Sequence, residues 1–468
     1  MRRVYLILAA LITVAVVTGC GASKHPPRSN ISGCHGCRRT SRALVGSGSA
    51  PQVGAPTPAG VVCDETLGPG ANVGSAVSSA SAGSVVCLSS GSWSAITLEN
   101  VSPASAGVTL AAAPGQTVVV PGITVQSSQN LTVEGFSVTQ PGNGDDNGIQ
   151  LFCGLSNVTL KYNTIEDQPG GYGVYAAANY CGAGPIQNDI NVEYNQIDHV
   201  GAGIQVNGGM AYQTNWTISH NVIGPEISYG NTSSQSGGGH YIEIGGANGA
   251  TVDNNAFEGP EDSNATTLGE HVNVLHLQGG QENITFDNNI MWHTDTRGES
   301  VLFEDSPMDN IQIENNLDIE DPACVANTNC NDAPFDISAP DGLAFEHNTA
   351  VDGAWGIVHG QVTGTSSNDP ENMTAQDNID VGTPASGQAN YGLWDCNSSC
   401  AVQDNVSQDT SANSKFGGTG NVVNWNPTWT TTNWTPVDGP GYQPPPTGYY
   451  QPTSLSITNA GYQNNDGP

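Results

Sequence analysis

Glu243, His276, Glu304 and Asp336 are the side chains of this sequence best suited by type to move protons, and they fall in or just after successive strand-like segments. Those segments read GIQLF from Gly148, GVYAA from Gly173, GIQVN from Gly203, YIEIG from Tyr241, VLHLQ from Val274, FDIS from Phe335 and YGLW from Tyr391. Apolar and polar residues alternate in them, the pattern of a strand with one buried face. The outward residue at the middle of each strand gives a row: Gln150, Tyr175, Gln205, Glu243, His276, Leu302, Asp336, Val358 and Trp394. Two residues further along stand Asn207, Gln278 and Glu304, and Arg297 shortly precedes the strand that leads to Glu304. If consecutive strands stack in a parallel sheet, neighbours in this row lie about 4.8 Å apart. An imidazole with a carboxylate beside it at that spacing can take up and return a proton.

The elements that must position the row are set by a second repeat. Ten times between Asn130 and Asp409 a strand-like phrase runs into Asn and another apolar residue, as in NVTLKYNTI from Asn157, DINVEYNQI from Asp189, NWTISHNVI from Asn215, GATVDNNAF from Gly249 and NITFDNNIM from Asn283. Start-to-start spacings of 27, 32, 26, 34, 34, 27, 32, 30 and 27 residues are the unequal period of a solenoid with loops of varying length. The second and fourth residues of the phrase are mostly apolar, and the seventh is Asn in nine copies: Asn163, Asn195, Asn221, Asn255, Asn289, Asn316, Asn348, Asn378 and Asn405. Asn tolerates left-handed backbone and bonds local peptide groups, so such a stack would knit successive turns together. From ladder Asn to the next strand the chain takes 21 residues after Asn221, 20 after Asn255 and 19 after Asn316, against 11, 9 and 9 after Asn163, Asn195 and Asn348. The long insertions lead into the strands of Glu243, His276 and Asp336, and solenoids place such insertions on a binding face.

These phrases resemble the coils of a right-handed parallel β-helix of the pectate-lyase-like superfamily, with a stacked asparagine ladder. The resemblance covers residues 61 to 468 and implies an all-β, single-stranded right-handed parallel β-helix of about ten or more coils. It also implies a substrate cleft along one parallel sheet beside long turns. Residues 61–129 read as an N-terminal cap, with a short helix near Gly74 to Ala82, and first coils; 130–410 as the β-helix repeats; and 411–468 as an irregular, aromatic- and Pro-rich C-terminal cap.

Ahead of the solenoid, Arg2 and Arg3 precede an apolar run from Val4 to Val17, too short for a comfortable membrane span and typical of a signal peptide over residues 1–19. Val17-Thr18-Gly19-Cys20 resembles a bacterial lipobox, which implies cleavage before Cys20, lipid on its sulfur, and a protein anchored to the cell envelope on the extracytoplasmic side. Residues 20–60, rich in Gly, Ser, Pro and Ala, read as a flexible basic tether. Beyond residue 60 the chain carries 43 acids against Lys161, Arg297 and Lys415 alone, which argues against nucleic acid as a partner.

Eleven cysteines suit an oxidising compartment. Removing Cys20 leaves ten, for which proximity suggests Cys63 with Cys87, Cys153 with Cys181, Cys324 with Cys330 and Cys396 with Cys400. Cys34 and Cys37 in the tether read as a small disulfide loop more readily than as a metal site.

On this architecture the expected partner is a polysaccharide bound by a monomer. Hydrolysis of a glycoside needs two carboxyl groups, roughly 5–5.5 Å apart for retention or 6.5–9.5 Å for inversion; Glu243 with Glu304 or Asp336 would serve. A lyase needs a base, here His276 or Arg297, and something to neutralise a uronate. The acidic body cannot neutralise it directly, so Ca²⁺ held by Glu243, Glu304, Asp305 or Asp336 is the natural candidate. Tyr175 and Trp394 would stack on sugar rings, with Gln205, Asn207 and Gln278 supplying hydrogen bonds. The polygalacturonase-like set of NTD, paired Asp, GHG and RIK does not assemble here, and the several basic residues of pectate lyases are missing. Two classes therefore remain: a lyase or glycoside hydrolase, and a lipid-anchored protein that binds glycan or serves a structural role without catalysis.

Overall fold

The computed structural model describes residues 60–139, 147–178, 186–208, 213–227, 239–259, 272–292, 300–303, 308–319, 335–336, 340–351, 358–359, 372–381 and 401–407. Three parallel sheets wind around one interior, each strand pairing with its counterparts in the coils before and after. The chain is a right-handed parallel β-helix, and its one helix among the described residues is Val73–Ser79, at the start of the solenoid. Asn72 caps that helix by accepting the Ser75 N–H at 2.9 Å, and Val73 and Val77 are buried. The signal peptide, the tether and the C-terminal cap lie outside the described residues.

Sheet 1 is built from the repeated phrase. Its strands Leu155–Lys161, Gln187–Glu193, Gln213–Ser219, Asn248–Asp253 and Gln281–Asp287 pair so that Val158, Ile190, Trp216, Ala250 and Ile284 form one interior column. All five are buried, as the alternation of the phrase requires. Sheet 2 consists of the short strands that follow each ladder Asn, such as Thr164–Glu166 and Ala256–Glu258. Sheet 3 carries the row of polar side chains and runs from Ile96–Glu99 to Val358–His359.

The asparagine ladder joins sheets 1 and 2. Asn255 is typical: its Oδ1 accepts from Asn221 N at 2.9 Å and Asn221 Nδ2 at 3.0 Å, while its Nδ2 donates to Ile218 O, Asp253 O and Asn289 Oδ1. The same contacts continue from Asn163 to Asn405, every member buried. Left-handed backbone does not fall on the ladder residues themselves. It falls on the residue before each, as at Tyr162 (φ 56°), His220 (φ 56°) and Asp404 (φ 56°), and on the first residue of the phrase, as at Asn157 (φ 54°) and Asn283 (φ 59°). The ladder Asn is chosen for its amide, which can donate and accept at once.

Acids interrupt the apolar interior in one column, where Asp318 and, two coils on, Asp380 are both buried. Asp318, in Leu317–Ile319, pairs with Met291 and Ala350 in an inward column and is fully buried. Cys63 and Cys87 form the expected disulfide, with Cα atoms 5.6 Å apart. Cys153 is also disulfide-bonded, while Cys181, Cys324, Cys330, Cys396 and Cys400 lie outside the described residues.

Candidate active site on sheet 3

Backbone pairing places the row in register: Gln150 with Tyr175, Tyr175 with Gln205, Gln205 with Glu243, Glu243 with His276, His276 with Leu302 and Leu302 with Asp336. The next member is His359 rather than Val358, because Asp336 pairs with His359 and Val358 pairs with the inward Phe335. Ile357 and Val358 are adjacent β-branched residues, so alternation fits either register there, and a slip of one residue exchanges the faces. Asn207 and Gln278 share the following row, with Gly245 between them. Arg297, Glu304, Asp305 and Trp394 lie outside the described residues, as do the long insertions expected to wall the groove; Asp336 is described only through its backbone pairing.

Two groups that alternation cannot find complete the cluster. Tyr172 stands two residues ahead of the inward Val174, inside the strand Gln168–Ala177, and His240 stands two residues ahead of the inward Ile242, just before the strand Ile242–Gly245. The first is Tyr172, which follows an irregularity in the pairing between Gln168 and Tyr172. Its ring stacks on Tyr175 with centroids 5.1 Å apart and planes 24° apart, and Phe152 meets Tyr175 edge-on at 6.0 Å. Burial, and next to it the charge of Glu243, pushes the Tyr172 phenol up to about 12; Tyr175 adds to this and a hydrogen bond with Gln205 opposes it. The phenol thus stays protonated and within the field of Glu243 two coils away.

The second is His240, at the corresponding position before Ile242. Its Nε2 lies 3.0 Å from His276 Nδ1, and the two rings are tilted by 58° with centroids 4.3 Å apart. His240 Nδ1 accepts the Asn273 backbone N–H at 3.2 Å. The pair is 3% and 4% exposed, so the middle of the row is sheltered although its strand positions face outward. Gln278 Nε2 stands 3.3 and 3.4 Å from the two ring nitrogens of His276. A carboxylate, two imidazoles, a phenol and two amides are therefore spread over four consecutive coils. The recurring polar residues two positions ahead of the first inward residue, Asn147, Tyr172, His240 and Asn273, are the signal in the sequence that marks this second layer.

Of the four calcium candidates only Glu243 has a described side chain, and among the described residues no three His, Cys, Asp or Glu converge as a metal site. Sheet 1 offers a contrasting face. A shallow depression of about 400 Å³ lies over Asn191, Thr217 and Thr251 beside Asp189, but no imidazole lines it. Further along, Asp253, Asp287, Glu314 and Glu346 form an outward acidic column. Burial, then Asp253 and Glu314, pushes Asp287 up to about 6.

No protein-family model matches the sequence, and no curated protein matches it. Solved structures do resemble the fold. A mutant of the PL6 family alginate lyase AlyGC superposes with a TM-score of 0.54 at 12% identity, over 86% of this chain and 57% of that chain. AlyGC itself gives 0.50 at 13% identity over the same shares, and pectate lyase Pel9A gives 0.46 at 12% identity over 86% and 92%. The present chain spans little more than half the length of AlyGC. At such identities the likeness establishes the parallel β-helix and leaves the chemistry to the site.

Proposed function

We propose that this protein processes an extracellular polysaccharide in a groove along sheet 3, by lyase-type rather than hydrolase-type chemistry. The observation that supports this reading is the pairing of Glu243 with His276 on adjacent strands, with the Tyr172 phenol in the field of Glu243. A carboxylate and an imidazole on adjacent strands, with a protonated phenol on the same sheet two coils from the carboxylate, are groups of the kind that proton abstraction and stabilisation of the resulting charge require. The paired carboxyls of a glycosidase would have to come from Glu304 or Asp336. Tyr175, with its edge against Phe152, offers a ring at the upstream end of the row, and Gln205, Asn207 and Gln278 offer amides along it.

Calcium, if bound, would neutralise an acidic sugar at this face, with Glu304, Asp305 or Asp336 as the carboxylates to hold it, which leaves Glu243 for the proton chemistry of the protein's own residues. We also place the protein outside the cytoplasmic membrane as a monomer, held by lipid on Cys20. Incorporation of labelled palmitate, abolished by Cys20→Ala, tests that placement.

The activity is tested by offering the purified protein a panel of plant and bacterial polysaccharides, with and without Ca²⁺, while following reducing ends and the absorbance of unsaturated uronates. Both signals together are expected. Reducing ends alone would make it a hydrolase. Saturable binding with neither signal over the whole panel would favour the second reading, a glycan-binding or structural surface protein.

A further inference from the structure

Two buried histidines in contact can share their protons in only a few ways, and here the backbone restricts the choice. The Asn273 N–H points at His240 Nδ1, so that nitrogen is an acceptor and carries no proton. A neutral imidazole has one proton, which for His240 must then be on Nε2. Nε2 faces His276 Nδ1 at 3.0 Å, so His240 donates and His276 Nδ1 accepts. With Nδ1 engaged as acceptor, His276 keeps its own proton on Nε2.

We propose that His240 is a positioning residue that locks His276 in the Nε2–H tautomer, making His276 a hydrogen-bond donor to a substrate oxygen and leaving Glu243 as the proton acceptor. The assignment rests on the polysaccharide-processing reading for its substrate, and it gives His276 a different role from the base that the sequence suggested for His276 or Arg297. For Nε2 to accept a proton from substrate, His276 would first have to carry its resident proton on Nδ1, and that nitrogen already faces the His240 N–H. A neutral imidazole donor is useful where an oxygen gains negative charge, because the hydrogen bond strengthens as the charge develops and no proton need leave the ring. Glu243, the Cα partner of His276 on the adjacent strand, is the described carboxylate of the row and can take the proton. The class of group that docks at His276 is thus a hydrogen-bond acceptor, such as a carboxylate, carbonyl or glycosidic oxygen.

The test is long-range ¹H–¹⁵N correlation spectroscopy on the full protein labelled with ¹⁵N-histidine, with the His276 signals assigned by their loss in His276→Gln. In the wild type, His276 Nδ1 is expected at a pyridine-like shift and Nε2 at a pyrrole-like shift. His240→Phe should turn His276 into a mixture of tautomers, whereas His240→Gln, whose amide can still donate to Nδ1, should restore the single form. On a turned-over polysaccharide, His240→Phe should lower kcat by on the order of 10²-fold with little change in KM, and His240→Gln should recover much of it. An Nδ1–H tautomer for His276 in the wild type, or an Nε2–H tautomer unchanged in a folded His240→Phe variant, would overturn the proposal. The spectroscopic result needs no substrate, so it stands or falls separately from the assignment of activity.

Discussion

Tyr172 and Glu243 interact although two coils of the solenoid separate them: the phenol rests beside Gln205 on the intervening coil and feels the carboxylate beyond it. The β-helix makes this possible because about 4.8 Å separates neighbouring coils, so a Tyr side chain spans one coil and approaches the next. A site can thus be assembled from residues 71 positions apart in sequence without any long-range loop.

The Tyr172 phenol supplies the first prediction. Its ionisation is pushed up to about 12 by burial and by Glu243, so in a spectrophotometric titration one tyrosine should ionise late and vanish from the curve in Tyr172→Phe. Glu243→Gln removes the charge that disfavours the phenolate and should move that step to lower pH, though not to the ordinary tyrosine value, because burial remains. No movement in Glu243→Gln would mean that the two groups do not interact.

The asparagine ladder supplies the second. Asn255→Ala removes the acceptor of the Asn221 N–H and Nδ2 and the donor to Asn289, leaving buried polar groups unpaired. A loss of about 2–4 kcal/mol is expected, read from denaturant unfolding. Asn255→Asp should not rescue it, because a carboxylate can replace the acceptor but not the donor to Ile218 O and Asn289 Oδ1. A loss below 0.5 kcal/mol, about the level of an ordinary surface change, would show that the ladder does not contribute as described.

Much of this arrangement was legible in the sequence because it repeats. The interior columns follow from the second and fourth residues of each phrase, and Asn163 to Asn405 identify the ladder before any coordinate is known. The outward row was legible as far as alternation is unambiguous, through Glu243 and His276, and slipped at Val358, where two β-branched residues adjoin and His359 takes the outward register. Tyr172 and His240 escaped the alternation because Tyr172 follows a register irregularity within its strand and His240 precedes its strand, so a period of two does not carry through to either. The left-handed positions were displaced by one residue for a related reason: Asn is common both at such turns and in the ladder, and composition does not separate the two uses.

Asp318 supplies a prediction about pH. Burial pushes its carboxyl up to about 7, opposed by the Ser300 hydroxyl, and neither carboxyl oxygen makes a well-formed hydrogen bond. The folded-state value is thus above the ordinary carboxylate value of 3.8. The folded state then binds the proton more tightly than the unfolded chain, so this contribution to stability is fully present below the ordinary value and is lost as pH rises through about 7. Melting temperatures measured from pH 4 to pH 8 should fall less steeply in Asp318→Asn than in the wild type. Asp318→Leu should be more stable than the wild type at pH 8, by on the order of 2 kcal/mol. Parallel pH profiles for wild type and Asp318→Asn would show that the carboxyl is not held in the apolar interior.

The central claim is that Glu243 accepts a proton from a bound polysaccharide. It is tested most directly by measuring binding and turnover of one polysaccharide, chosen from the panel, by wild type and Glu243→Gln side by side. Glu243→Gln should keep the wild-type Kd within a few-fold and lose turnover by about 10²–10⁴-fold, the contribution of a positioned acid or base. Turnover by Glu243→Gln at the wild-type rate would contradict it.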